Sequence, residues 1–228
     1  MSPGAVLAVD VGGTKLAAGV VDDAGHLLAR AQVPTEGDDA EGLFRRLTGL
    51  ADDVRARAAT DPTVCGIGCG GPMAADGSTV SPLAIPAWRD FPLRDRLAEH
   101  TGLEAAIDND AKALALGEGW VGAARGVDDY LAMVVSTGVG GGIVLDGRLL
   151  DGAAGNAGHI GHVIVEPEGH PCLCGARGCL EAEASGGGLE RALGYPPTEA
   201  PAEVRARTGT LVGRAVASVA NLLDLRLA

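Results

Sequence analysis

The chain has 228 residues, of which 46% are hydrophobic, and it carries a formal net charge of −12. This acidity argues against a nucleic-acid surface, which needs clustered Lys and Arg to neutralise phosphates. No uninterrupted apolar run approaches the roughly 18 residues that a membrane-spanning helix needs, and the N-terminus lacks the charge pattern of a secretory signal. We therefore expect a cytoplasmic protein of one large or two small domains that contacts neither nucleic acid nor membrane.

The first half of the chain predicts an α/β lobe over residues 1–117. Three strands open it, because short apolar runs at 5–9, 16–21 and 27–33 are separated by glycine-containing turns. An amphipathic helix over 39–58 follows, because its apolar residues recur at three- and four-residue spacing. The other elements predicted in this lobe are a strand at 64–69, a proline-containing loop, a helix at 93–101 and a strand that ends at 107. The predicted order is therefore β-β-β-α-β-α-β.

The second half predicts another lobe, residues 118–228. A helix starts at Asp110 with Asn109 or Asp108 as its N-cap, and its glycine-rich end at 117–122 connects the two lobes. The elements predicted after it are strands at 130–136 and 141–145, a loop at 195–201 and a helix at 210–223. A strand-glycine-strand unit occurs in both halves, which indicates a duplicated architecture.

Two glycine-rich turns are candidate phosphate cradles, because a tight glycine turn exposes successive backbone N–H groups to an anion. The first is DVGGTK at residues 10–15, and the second is STGVGGG at residues 136–142. Either turn alone is more often an ordinary hairpin turn. Each of the two turns follows a predicted strand that ends in Asp or Ser-Thr. Their occurrence as a pair favours the interpretation that both turns bind one polyphosphate.

Asp108, Asn109 and Asp110 lie at a predicted strand-to-helix junction. There a carboxylate can accept the proton of a hydroxyl that attacks phosphorus. An N-cap role explains one aspartate and leaves the other free. The sequence therefore predicts that one of the two is a general base.

A cluster of candidate metal ligands follows the pattern H-x9-C-x-C-x4-C. Its members are His162, Cys172, Cys174 and Cys179. Three thiolates and one imidazole suit a tetrahedral structural zinc, although residue types alone leave iron-sulfur ligation open. The other two cysteines, Cys65 and Cys69, are interpreted as small buried residues of a strand.

Together these segments resemble the ROK family of sugar kinases and sugar-responsive repressors, especially its bacterial glucokinase branch. The motifs that carry the resemblance are DVGGTK (10–15), IDNDA (107–111), STGVGGG (136–142), GNAGHIGH (155–162) and CLCGARGCLE (172–181). The resemblance implies an actin-like ATPase fold with two RNase H-like lobes and a central cleft. It also implies ATP-dependent phosphorylation of a hexose, with glucose as the default substrate.

The same resemblance assigns residues to roles. It implies that Asp110 is the general base. The implied sugar-binding residues are Gly71, Asn109, Asp110, His159, His162 and Glu181. The residues implied to lie beside the ATP phosphates and Mg²⁺ are Asp10, Gly12, Gly13, Thr14, Lys15, Thr137 and Gly138. His162 would then link the structural Zn²⁺ to the sugar. A homo-oligomer, a dimer, is expected.

Three departures from the family pattern shape the alternatives. His159 stands where glucokinases of the family usually have a glutamate, so N-acetylmannosamine, fructose and mannose are alternative substrates. Lys112 stands where asparagine is common. The chain stops at Ala228, before the segment that contacts adenine in the family, so the second lobe is expected to be shortened. That predicts weak ATP binding and an apolar surface around Val219 and Leu222, and it leaves a non-catalytic sugar-binding remnant or regulator as the alternative function.

Overall fold

The computed structural model describes residues 4–35 and 39–228. Residues 1–3, on which part of the secretory-signal argument rests, lie outside that range. Two compact units divide the chain, Met1–Ala113 and Leu114–Ala228. The boundary falls inside one helix, which also contains the predicted lobe border after residue 117. Among the described residues, no helix combines the length and the apolar character needed to cross a membrane.

The first unit is built on a five-stranded mixed sheet in the order β3-β2-β1-β4-β5. Its elements are β1 (Ala5–Val11), β2 (Lys15–Asp22), β3 (Leu27–Pro34), α1 (Ala40–Arg57), β4 (Val64–Cys69), α2 (Leu93–Thr101) and β5 (Glu104–Asp108), and α3 (Asp110–Val121) crosses the boundary. β1 pairs antiparallel with β2 and parallel with β4. The predicted order of strands and helices is confirmed.

Helix α1 forms because its apolar stripe and its cap agree. Asp39 is the N-cap, and its Oδ1 accepts a hydrogen bond of 2.7 Å from the backbone N–H of Gly42. Leu43, Leu47 and Val54 are buried on the stripe and join the core on the sheet. The sheet is thereby packed against α1. The carboxyl ends of the parallel strands β1, β4 and β5 lie at the same side of this sheet.

The second unit contains a three-stranded antiparallel sheet in the order β6-β7-β8. Its elements after α3 are β6 (Tyr130–Val135), β7 (Val139–Leu145), β8 (Arg148–Leu149), α4 (Leu180–Ala184), α5 (Gly186–Leu193) and α6 (Ala202–Leu223). A short 3-10 turn, Ile160–His162, precedes the cysteine loop. The core of this unit packs around Leu131, Ile143 and Leu211.

Two predictions for glycine-containing segments of the second half were wrong in detail. The glycines at 117 and 119 lie inside α3 rather than in a connecting tail, and Tyr130 packs so closely on Gly119 that a larger residue would not fit. β7 begins at Val139, before the predicted start, because the glycines after it belong to the strand. Gly141 lies against the carbonyl of Gly158, where an added Cβ would come within 3.0 Å of that oxygen.

Helix α6 begins at Ala202, well before the predicted start at 210. Leu211 and Ala215 are buried on its inner face, as predicted. Leu222 is not on that face: it is 81% exposed, while Leu223 packs against the core of the second unit. Of the two residues of the predicted apolar surface, Leu222 is exposed, whereas Val219 packs on the core.

Candidate active site

Strand register gathers the candidate catalytic aspartates at one edge of the first unit. Asp10 in β1 pairs with Gly68 in β4, and Gly68 pairs with Asp108 in β5. Asp110 begins the next helix, and a Cβ added to Gly68 would lie 3.4 Å from the Cα of Asp110. Because Gly68 has no side chain, the start of α3 can approach the strand ends closely.

The electrostatics of this edge show that two of the carboxylates lie near each other. Loss of hydration and the Asp110 carboxylate raise the pKa of Asp10, against the opposing charges of Lys15 and Arg30. Burial, followed by the charges of Asp110 and Asp10, raises the pKa of Cys69 to about 12. Carboxylate oxygens are the ligands that Mg²⁺ prefers, so the chemistry of Asp10 fits that ion.

The turn at 108–110 is held by its own side chains. Asn109 is the helix cap: its Oδ1 accepts from the N–H of Ala111 at 3.0 Å, and its carbonyl accepts from Ala113 at 2.9 Å. Asp108 Oδ1 accepts from the N–H of Asn109 at 2.7 Å and lies 3.0 Å from Lys112 Nζ. Asp108 is thus engaged in an ion pair with Lys112.

The first glycine turn is fixed from two sides within the first unit. Thr35, just after β3, donates through Oγ1 to the carbonyl of Gly12 at 2.8 Å, and its N–H donates to Thr14 at 3.1 Å. On the other side Gly13 packs so closely on Ala84 that an added Cβ would overlap the Cβ of Ala84. Thr14 and Lys15 are exposed at this turn, as a phosphate cradle requires.

Gly71, a predicted sugar-binding residue, follows β4 at the same sheet edge. It is half-buried, and its carbonyl accepts a hydrogen bond of 3.2 Å from the N–H of Leu83. The first unit thus brings together the predicted residues at 10–15, 71 and 109–110.

The second glycine turn connects β6 and β7 in the second unit. Thr137 and Gly138 are exposed at its tip, and the N–H of Ser136 donates to the carbonyl of Gly138 at 2.9 Å. Glu181 holds the end of the turn, because its Oε2 accepts from the N–H of Val139 at 3.1 Å. A predicted sugar ligand is therefore in direct contact with the second predicted phosphate turn.

Helix α5 contributes residues beside the second glycine turn that the sequence reasoning missed. The N–H groups of Gly186 and Gly187 donate to the carbonyls of Ser136 and Thr137, at 2.7 and 3.0 Å. A groove of about 410 Å³ lies here, lined by Val135, Ser136, Thr137, Ala184, Gly186, Gly187, Glu190 and Pro197. The sequence signal that could have indicated this helix was Ser185, an N-cap residue before three glycines. Its Oγ caps α5 by accepting a hydrogen bond from the N–H of Gly188 at 2.9 Å.

The four predicted metal ligands lie together in the second unit. One ligand atom from each of His162, Cys172, Cys174 and Cys179 lies within 4.8 Å of all the others. The Sγ atoms of Cys174 and Cys179 are 3.7 Å apart, and His162 Nδ1 is 3.8 Å from Cys172 Sγ. A tetrahedron with zinc-sulfur bonds of about 2.3 Å has edges of about 3.8 Å, so the spacing fits zinc.

The thiols of this cluster have different surroundings. A hydrogen bond from the backbone N–H of Ala176 lowers the pKa of Cys174, which is exposed. Burial raises the pKa of Cys179 to about 12. The aromatic ring of His159 stands edge-on to that of His162, with 6.1 Å between their centroids. The predicted sugar-facing histidines are thus neighbours beside the metal cluster.

Comparison with known proteins settles the family. The model of the ROK family matches residues 6–225. The chain belongs to the ROK family. It is 39% identical over 227 residues to a glucokinase of Halalkalibacterium halodurans, and this match covers 95% of this chain and 68% of that relative. It is also 39% identical over 188 residues to an N-acetylmannosamine kinase of Citrobacter koseri, which covers 82% of this chain and 63% of that relative.

The fold of this ROK chain is that of solved ROK sugar kinases. A ROK family glucokinase from Streptomyces griseus, in complex with glucose and AMPPNP, is similar with a TM-score of 0.82 and 31% identity. The similarity covers 97% of this chain and 81% of the solved one. ROK sugar kinases have the actin-like ATPase fold, so the predicted α/β fold class is confirmed. The chain spans about two thirds of the curated relatives' length, 68% and 63%.

Proposed function

We propose that this protein transfers the γ-phosphoryl group of ATP to a hydroxyl of a hexose, with Asp110 as the general base. The observation that carries the proposal is the register that places Asp10 and Asp108 level at the carboxyl ends of parallel strands, with Asp110 beside them. Relatives named glucokinase and N-acetylmannosamine kinase support a sugar as acceptor. The similar glucokinase with bound AMPPNP supports a nucleoside triphosphate as donor.

The reaction needs few covalent roles from the protein. The sugar oxygen bonds to the γ-phosphorus, the bond from phosphorus to the bridging oxygen breaks, and ADP leaves with that electron pair. The hydroxyl proton passes to Asp110. Asp110 Oδ1 already accepts from the N–H of Ala111 at 2.8 Å, so Oδ2 is the oxygen assigned to the proton. Proton acceptance at this position is worth roughly 10²- to 10⁴-fold in rate.

The turns at 12–15 and 137–138 are assigned to the phosphates. Residues 13–15 and 137–138 are exposed at these turns. Phosphate binding by backbone N–H groups suits an acidic chain with only 18 Lys and Arg. Asp10 would help to hold Mg²⁺, which neutralises charge on the phosphates when it is bound. The groove beside Thr137 and Gly187 has room for the rest of a nucleotide.

The metal cluster has a structural role in this proposal. Zn²⁺ bound by His162 and the three cysteines would fix the loop from which His162 reaches the sugar. Asn109, Gly71, His159 and Glu181 are the other assigned sugar ligands. His159 is the residue assigned to distinguish hexoses, and N-acetylmannosamine is the second candidate because a relative carries that name. A homodimer in solution belongs to the same proposal.

ADP release with ATP and Mg²⁺, measured against glucose, N-acetylmannosamine, mannose and fructose, tests the proposal. We expect sugar-dependent ADP release with one hexose strongly preferred. Sugar binding by calorimetry without any ADP release would instead support a non-catalytic sugar-binding protein of the same family. Sedimentation of the same sample measures the oligomer.

A further inference from the structure

Lys112 is a buried cation for which the proposed reaction has no use. It lies on α3, two residues after the proposed base, and only 2% of it is exposed. Its Nζ lies 3.0 Å from Oδ1 of Asp108, one helical turn earlier. A buried ammonium is costly unless a carboxylate compensates it, and Asp108 supplies a carboxylate here.

The acceptor of this ion pair also holds the backbone of the active turn. Asp108 Oδ1 accepts from the N–H of Asn109 at 2.7 Å while it faces Lys112. Asn109 Oδ1 and Asp110 Oδ1 both accept from the N–H of Ala111, at 3.0 and 2.8 Å. Three consecutive side chains are thus anchored on backbone N–H groups, and Lys112 fixes the first of them.

This anchoring decides which atoms face the substrate. Each Oδ1 in the turn is engaged with the backbone, so sugar binding falls to Asn109 Nδ2 and proton transfer to Asp110 Oδ2. The directions of these two atoms follow from the backbone of the turn. A shift of about 1 Å in a reacting group is enough to lower a rate by roughly 100-fold.

We propose that Lys112 is a positioning residue, which fixes the turn at 108–110 through its ion pair with Asp108 and thereby orients Asn109 and Asp110. The roles of Asn109 and Asp110 rest on the proposed function. The ordering of the turn by Lys112 does not rest on that function, so the role of Lys112 and the proposed function can be tested separately.

The kinetic test compares Lys112→Met, Asp108→Asn and the double variant. Each single variant is expected to lower kcat/KM for the sugar by roughly 10- to 100-fold while the KM for ATP changes little. The double variant should lose little more than the single variants, because the ion pair between Lys112 and Asp108 is removed in all three. Arg57→Met is the matched control: Arg57 and Asp53 form an exposed i,i+4 pair at 2.7 Å on α1. Sugar kcat/KM within twofold of wild type in folded Lys112→Met would overturn the proposal.

Amide hydrogen exchange gives a readout that needs no activity. Lys112→Met should speed exchange at Asn109 and Ala111 by about tenfold more than at Val9 in β1, which reports on the stability of the whole unit. An equal change at all three amides would show a merely structural lysine and would overturn the proposal. If Lys112→Met does not fold, Asp108→Asn gives the same comparison. If the wild type phosphorylates no hexose, the proposed function fails while exchange still decides the role of Lys112.

Discussion

Glu183 and Arg207 form an ion pair in the second unit, with 2.7 Å between Oε2 and Nη2, and the glutamate side chain has no exposed surface. Its other oxygen accepts a hydrogen bond from the backbone N–H of His170 and lies 3.0 Å from the Nδ1 of that ring. Glu183 belongs to α4, Arg207 to α6 and His170 to the cysteine loop. One buried carboxylate therefore ties the loop that carries the metal ligands to two helices.

Glu183→Gln should destabilise the protein by roughly 1–3 kcal/mol at pH 7, because it removes a charged acceptor from a buried hydrogen-bond network. Burial alone would raise the pKa of Glu183, but hydrogen bonds from Arg207 and His170 hold it below its usual value. A lowered pKa stabilises the fold above the unfolded value of about 4.3 and ceases to do so as the pH falls through the folded value.

The measurement is denaturant unfolding of wild type and Glu183→Gln at pH 7, 5 and 3.5. The difference in stability should be largest at pH 7 and should shrink as the pH falls below the unfolded value of about 4.3, since the wild-type advantage is lost as the folded carboxylate takes up a proton. Glu203→Gln, at an exposed position of α6, should behave as wild type throughout. A constant difference at all three pH values would contradict the linkage.

The cysteine cluster should bind about one zinc per chain, and Cys174→Ser should lose that metal. Cys174 is exposed, so the substitution removes a ligand without opening a cavity. Loss of metal should lower the melting temperature and weaken sugar binding, because His162 is no longer fixed. Metal analysis and thermal unfolding test this, with buried Cys65→Ala as a control that keeps the metal. Unchanged melting of the wild type after chelation would disprove a structural metal.

Features with a strong local pattern were predictable from the sequence. β4 and α2 have the predicted bounds. The apolar run that predicts β4 lies wholly within that strand, and the amphipathic segment that predicts α2 is bounded by a proline. The cluster of four candidate metal ligands was predictable for a similar reason: His162 and the cysteines lie within one short stretch, and few structures other than a metal site bring three reduced thiols together.

Features that depend on tertiary packing were not predictable. α5 starts with three glycines, which have low helix propensity, so the pattern did not indicate a helix. The structure shows why they are there: a Cβ on Gly188 would lie 2.5 Å from the carbonyl oxygen of Glu181. Glu183 was missed because a glutamate in a short helical segment is usually exposed, and only its three-dimensional partners reveal its burial.

Asp110→Asn should lower turnover by roughly 10²- to 10⁴-fold, because it keeps the size of the side chain and removes the proton acceptor. The KM for the sugar should change little, since Asn109 and the other assigned ligands remain. Steady-state ADP release measures both constants, with exposed Asp23→Asn as the control for loss of one negative charge. Turnover retained in Asp110→Asn would move the base to Asp108 or remove the support for a kinase.

The close contact between Gly13 and Ala84 predicts a substitution that affects the phosphate donor alone. A Cβ at Gly13 would overlap the Cβ of Ala84, so Gly13→Ala must displace either the turn or the facing loop. Because the turn is assigned to the phosphates, the KM for ATP should rise by about tenfold, while sugar affinity stays near wild type. Gly49→Ala is the matched control, since open space surrounds Gly49 in α1 and alanine favours a helix by about 1 kcal/mol over glycine.

The second substitution Ala84→Gly separates a packing effect from a general loss of stability. It removes the methyl group that Gly13→Ala meets, after which the nearest atom of residue 84, its Cα, lies 3.8 Å away in ordinary contact. The double variant should therefore recover a KM for ATP close to that of wild type, even though Ala84→Gly by itself adds chain flexibility and lowers the melting temperature slightly. If Gly13→Ala already binds ATP normally, or if the folded double variant remains as weak as the single one, then the contact with Ala84 does not set the position of the phosphate turn.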